Sequence, residues 1–263
     1  MRSPGEVFAG CAPSPEAFHD MQLFTRDTRL ADAIHSNYLL IPVINRFGVS
    51  LGFGDRTIRE VCRAHRIDEK FFLVIINVFS HPHYFPEKTL LTFNPLVVLS
   101  YLQKTHAYYR EIQIPVIERQ LRQLIGRAGK EKGDLLVVRK FFQEYKRELL
   151  VHLNREERIT FPYIRNVYRA HQTRRAARKP SNAHAYSMEA YESEHNNVDE
   201  KLWDLKNILI KYLPGTVDAV VRNAVICEIF RLEQDIRDHT RIEETILMPR
   251  VTALEHALRR VRR

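Results

Sequence analysis

One short pattern occurs twice. Residues His152 to Ile164 read HLNREERITFPYI and His239 to Val251 read HTRIEETILMPRV, so both copies carry His-x-x-x-Glu-Glu-x-Ile-x-x-Pro. In an α-helix, positions i and i+4 lie above one another, so each copy aims an imidazole and a carboxylate the same way: His152 with Glu156, and His239 with Glu243. A lone His-x-x-x-Glu is most often an exposed pair worth little. Here each copy sits among apolar residues at helical spacing, with Leu149, Leu150, Leu153 and Ile159 around the first and Ile236, Ile242 and Ile246 around the second. Both motifs therefore belong on amphipathic helices, and the ligand-type residues are expected to point inward.

Each copy is preceded by another histidine. His106 (LQKTHAYY) stands 46 positions before His152, and His195 (YESEHNNV) 44 positions before His239. Two helical hairpins, each giving one histidine from its first helix and a His/Glu pair from its second, build a pseudo-symmetric four-helix bundle with its ligands in the core. The expected fold is all-α, an up-down four-helix bundle preceded by a small helical domain. The long helices are expected at roughly 96 to 125, 134 to 171, 186 to 213 and 217 to 260, between breaks at Gly126 to Gly133, Arg174 to Ala183 and Pro214-Gly215. Pro162 and Pro249, ten residues beyond the motif histidines, are expected to kink or break the second and fourth helices.

Ahead of the bundle, residues 1 to about 25 lack a sustained period and read as an N-terminal arm. Residues 26–80 read as a small all-α domain: LADAIHSNYLLIPVINRF, a turn marked by Gly48, Gly52 and Gly54, a helix start at Asp55 or Thr57, then TIREVCRAHRI and DEKFFLVIINVF. Residues 81–95, with three prolines and several aromatics, read as an extended linker whose His81 and His83 are structural, and residues 96–263 form the bundle.

No apolar run approaches the roughly 18 residues of a membrane span, and MRSPGEVFAG lacks the form of a secretory signal, so a cytoplasmic protein without a membrane partner is expected. Cys11, Cys62 and Cys227 are far apart and form no CxxC, which argues against disulfides, iron-sulfur ligation and thiolate zinc; Cys62 and Cys227 are expected as buried thiols. The net charge of +9 is concentrated in RRAARK (Arg174 to Lys179) and RRVRR (Arg259 to Arg263), which read as a solvated loop and helix end rather than a nucleic-acid surface.

Four imidazoles and two carboxylates suit iron, manganese or zinc. If Glu156 and Glu243 each bridge two irons and each iron takes two histidines, every iron has about four protein bonds; an oxide or hydroxide bridge adds a fifth and leaves room for one small ligand. Two glutamates cannot balance two ferrous ions, which also favours such a bridge. Glu148, one turn before His152, and Glu194, next to His195, are candidates for an outer acceptor, a metal-entry carboxylate or a proton relay. Glu157 and Glu244 lie about 100° around the helix from the ligand face and read as surface or capping groups.

At these residues the chain resembles hemerythrin-like (HHE) domains, and more closely the di-iron proteins that repair iron-sulfur centres, the RIC or ScdA type. HLNREERITFP, SMEAYESEH and HTRIEETILMP correspond to the three most recognisable segments of that family, and His106 completes the set. The resemblance implies six ligands to two irons: His106, His152, Glu156, His195, His239 and Glu243, with the glutamates as bridges. It also implies that Glu148 and Glu194 line a route to the metals. LADAIHSNYLLIPVINRFGVSLGFGDRTIREVCRAHRID resembles the small domain that precedes the bundle, but Leu51-Gly52-Phe53-Gly54 stands where that family has a Cys-Cys pair. Without those thiols, packing or homodimer formation is the role left for the domain.

The resemblance implies a cytoplasmic non-haem di-iron protein of the nitrosative and oxidative stress response, supplying iron to damaged iron-sulfur proteins or reducing nitric oxide. Its small partner is then nitric oxide or dioxygen. A second reading is a di-iron sensor acting as a regulator, because TIREVCRAHRIDEKFFLVIIN can be drawn as helix, turn, helix; against it, DEKFFLVIINVF is too apolar for a recognition helix. A third is reversible dioxygen carriage.

Overall fold

A computed structural model of the chain describes residues 23–81, 83–129, 132–173, 201–212 and 218–260. The chain divides into two compact units, one of Met1–Leu40 and Leu51–Phe85, the other of Ile41–Ser50 and Pro86–Arg263. Every regular element among the described residues is helical, and an isolated antiparallel bridge joins Arg29 to Thr57. The N-terminal arm expected for residues 1 to about 25 falls almost wholly outside the described residues.

In chain order, α1 (Leu30–Ser36) lies in the first unit, α2 (Leu40–Arg46) carries the chain into the second, and α3 (Ile58–His65) and α4 (Glu69–Ser80) return to the first. Thr57 starts α3: its hydroxyl accepts from the Glu60 N–H, and the Glu60 carboxylate accepts from the Thr57 N–H, a capping box. Asp68 does the same for α4 by accepting from the Phe71 N–H at 2.9 Å. Gly52 and Gly54 hold φ of 101° and 65°, which side chains beyond glycine rarely adopt. The middle of α4 is buried, including Phe71, Phe72, Ile75 and Ile76, so it is the core helix of this unit.

The second unit contains α5 (Glu87–Leu90), α6 (Pro95–Tyr108), α7 (Ile114–Gly126), α8 (Lys132–Arg155), α9 (Phe161–Thr173), α10 (201–207), α11 (Ala219–Ile242) and α12 (Met248–Arg260). The linker expected to be extended over 81–95 in fact contains α5 and the start of α6. Asn94 accepts from the Leu96 N–H at 2.9 Å and Pro95 takes the first helical position, where its missing N–H costs nothing. Residues 41–50, expected in the small domain, group with the bundle residues.

Pro162 and Pro249 do not break their helices. The helical path runs on through π-helical turns at Tyr109–Gln113, Glu156–Thr160, Ile208–Tyr212 and Glu243–Leu247. In three of them the N–H of the following residue bonds five positions back: Ile114 to Tyr109, Phe161 to Glu156 and Met248 to Glu243. The very next residue in each case is a proline: Pro115, Pro162 and Pro249. A regular turn would press the proline ring against the carbonyl four residues back, and the wider turn gives it room. Pro214 follows the turn at Ile208–Tyr212 with the same spacing in sequence.

Joined through these turns, α6–α7, α8–α9 and α11–α12 are three long rods, and α10 runs on into the turn at Ile208–Tyr212. α7 packs on α8 and α11, α9 on α6 and α12, so the rod of α6–α7 runs opposite to the other two. Between them lies a core that includes Leu121, Leu124, Phe142, Tyr145, Ile229 and Leu232. Cys62 is buried as expected, but Cys227 is exposed: it stands about 200° around α11 from the buried Val225.

Arg46, at the end of α2, is buried in this unit. Its Nη1 donates to Asp235 Oδ1 at 2.9 Å and to the Tyr101 hydroxyl at 3.4 Å, and its Nη2 donates to Asp235 Oδ2. Removing one member of a buried ion pair leaves the other charge unbalanced and costs about 3–5 kcal/mol, whereas an exposed pair contributes less than about 1 kcal/mol. Arg46→Ala is therefore expected to destabilise the fold far more than Arg127→Ala, which removes an exposed pair with Asp218. Urea denaturation of the two metal-free variants checks that order.

Candidate metal centre

The π-turns put the repeated motifs where they meet. Glu156 and Glu243 are each the first residue of a π-turn, one turn beyond His152 and His239, and α6 brings His106 against both. Donor atoms of His106, Glu156, His239 and Glu243 all lie within 4.8 Å of one another, and all four residues are buried. The Nε2 atoms of His106 and His239 are 3.2 Å apart, His106 Nε2 is 3.3 Å from Glu156 Oε2, and His239 Nε2 is 3.1 Å from Glu243 Oε1. His152 joins through Nε2, 3.4 Å from Glu156 Oε1.

These spacings match the edges of a coordination polyhedron. Bonds of ~2.1 Å to one ion set neighbouring donors ~3.0 Å apart in an octahedron and ~3.4 Å apart in a tetrahedron. The nitrogen and oxygen donor set suits a borderline or hard cation, and two carboxylates buried this deeply call for positive charge beside them. The cluster could therefore hold a metal ion, and its residue types fit iron.

The histidines are oriented differently. His106 Nδ1 is 3.0 Å from Glu157 Oε1, which also accepts from Arg110 Nη1 at 2.9 Å. The His106 hydrogen bond, helped by Arg110 and opposed by burial, holds the Glu157 carboxyl down to about 2. A carboxylate on Nδ1 fixes the proton there and turns the Nε2 lone pair towards the cluster. The Phe161 ring stacks on the face of the His106 imidazole at 5.3 Å. His239 Nδ1, by contrast, has no hydrogen-bond partner among the described residues; the Tyr109 ring meets its imidazole edge-on at 5.9 Å. Beside it, burial first, with the neighbouring Asp235 adding, pushes the Asp238 carboxyl up to about 6.

Residues 116–251, more than half of the 263-residue chain, match the hemerythrin HHE cation-binding domain. The chain belongs to the hemerythrin HHE family. No curated protein matches it. The family match spans both repeats and begins ten residues after His106, so the fourth member of the buried cluster comes from a helix that lies ahead of it.

Of the residues singled out in the sequence of this hemerythrin-family chain, the structure gathers His106, His152, Glu156, His239 and Glu243. His195 and Glu194 lie outside the described residues. Glu148 is not in the cluster; its carboxylate pairs with Lys201, with both side chains 37% exposed. Glu157, read as a surface or capping group, is instead the anchor of His106. Its partner comes from another helix, which intrahelical spacing cannot place; the only signal was the doubling of glutamate in both motifs. Glu157→Gln, which keeps an acceptor but loses the charge, is expected to weaken metal retention about 10–100-fold in chelator competition. Because Glu157 is partly exposed, the unfolding midpoint of the metal-free protein should change little.

Proposed function

We propose that this protein is a non-haem di-iron protein acting in the cytoplasm, where it meets nitric oxide or dioxygen and serves the response to nitrosative and oxidative stress. His106, His152, Glu156, His239 and Glu243 are its ligands in this reading, with His195 as the sixth from the sequence pattern. The single observation that carries it is the buried quartet of donors within 4.8 Å, drawn from both repeats and from the helix of His106. When bound, two irons supply a one-electron couple and a coordination position for a small ligand.

The residues of the chain do the rest. Glu156 and Glu243 offer two oxygens each, enough to reach two ions, and their burial keeps bulk water from competing for them. Glu157 and Arg110 hold the His106 ring in one tautomer. The apolar core formed with α7, α8 and α11 favours small ligands over large ones at such a site. Within this reading, supply of iron to damaged iron-sulfur proteins and reduction of nitric oxide are the two activities to be tested. A DNA-reading role is not favoured, because the second helix of the helix-turn-helix drawing, α4, buries Phe71, Phe72, Val74, Ile75, Ile76 and Val78. No helix among the described residues is long and apolar enough to cross a membrane.

Purified protein is expected to hold about two irons per chain, and Glu156→Ala with Glu243→Ala to hold almost none, by metal analysis and the near-ultraviolet absorption of a diferric centre. A wild-type protein that retains zinc alone, or no metal, overturns the reading. Complete removal of iron should lower the melting temperature, since a ligand present at 1,000 times its dissociation constant stabilises by about 4 kcal/mol; an unchanged melting temperature counts against a buried metal centre. The reduced protein should consume nitric oxide or restore a damaged cluster enzyme; failure at both removes the stress-response role while leaving the metal centre in place.

A further inference from the structure

Arg46 touches both helices that bring His106 and His239 together. On α11 it grips both oxygens of Asp235, one turn before His239 and on the same face. On α6 and the π-turn that follows, it donates to the Tyr101 hydroxyl at 3.4 Å, and its guanidinium lies 4.8 Å from the centre of the Tyr108 ring and 5.8 Å from that of Tyr109. Tyr109 in turn meets the His239 imidazole. Arg46 is 4% exposed and Asp235 9%, so water contributes little to balancing either charge.

The two histidines are not held alike. Glu157 orients His106 through a hydrogen bond, while His239 Nδ1 has none among the described residues. Apart from the contacts of its Nε2 with His106 and Glu243, the placement of His239 rests on where α11 sits and on the Tyr109 ring, and Arg46 touches both. A guanidinium fits this task better than an ammonium, because its planar fork bonds both carboxylate oxygens and stacks on aromatic rings at once. Residues 41–50 lie well ahead of the matched family segment, yet they group with the bundle.

We propose that Arg46 is a positioning residue of the metal centre, stapling α6 to α11 one helical turn from the His106–His239 pair and so setting the place of His239. The proposal rests on the metal-binding reading above. It makes the end of α2 a working part of the centre.

The test uses the full-length chain loaded with ferrous iron, with metal-free melting, iron retention against a chelator, and the absorption spectrum after oxidation as readouts. Arg46→Met with Asp235→Leu replaces the buried pair by apolar groups, which restores folding without the staple. Its metal-free melting is expected to stay near wild type while iron retention weakens about ten-fold or more and the spectrum shifts. Wild-type retention and spectrum in that folded double variant overturn the proposal. Should the double variant fail to fold, Arg46→Lys decides: a folded protein with weaker retention supports the staple, and unchanged retention and spectrum reject it. If the wild-type chain itself takes up no iron, the metal-binding reading fails first, and the variants are not at issue.

Discussion

Burying two carboxylates and three imidazoles in the waist of a helical bundle is the constraint on which the rest of this structure depends. Glu156 and Glu243 are 2% and 1% exposed, and His106 and His239 0% and 3%. Such groups are costly to take from water unless something of opposite charge and fixed geometry meets them. The arrangement that results is not a set of separate ion pairs: the four donor residues converge on one another at spacings that suit a cation among them. An apolar core around Phe142, Tyr145, Ile229 and Leu232 then has to be rigid enough to keep them converged.

The π-turns are how the helices comply. Each rod that carries a described ligand has its wide turn just after or at the ligand residues, with a proline two positions beyond it. Local hydrogen bonding is weaker there than in a regular helix, and such turns recur at functional sites for that reason. In this chain the proline and the ligand requirement agree: the turn that accommodates the ring also begins at the glutamate that joins the cluster. The repeated spacing from histidine to proline is thus a structural feature of the site and not merely a punctuation mark.

Around the cluster, polar support comes from residues other than the ligands themselves. Glu157 and Arg110 fix one histidine across a helix interface, and Arg46 with Asp235 braces the helices near another. Glu148 shows the converse. It stands on the expected face by helical arithmetic, yet it pairs with Lys201 and stays partly exposed, because one turn along a rod is enough to carry a side chain from the waist towards solvent.

Legible in the chain alone were the all-α class, the bounds of the three rods described from end to end to within a few residues, and the pairing of His152 with Glu156 and of His239 with Glu243. These follow from a 3.6-residue period and an i, i+4 spacing, which are properties of a single helix. The fold added that residues 41–50 belong with the bundle, that Glu157 serves His106, and that the prolines widen a turn instead of breaking a rod. The first two depend on which helix faces which, and so on contacts between residues tens to nearly two hundred positions apart, as with Arg46 and Asp235, 189 residues distant, while the third is a local choice of a wider turn that the 3.6-residue period does not show. The periodicity of one helix carries no information about its neighbours, and the chemistry of this centre is made between helices.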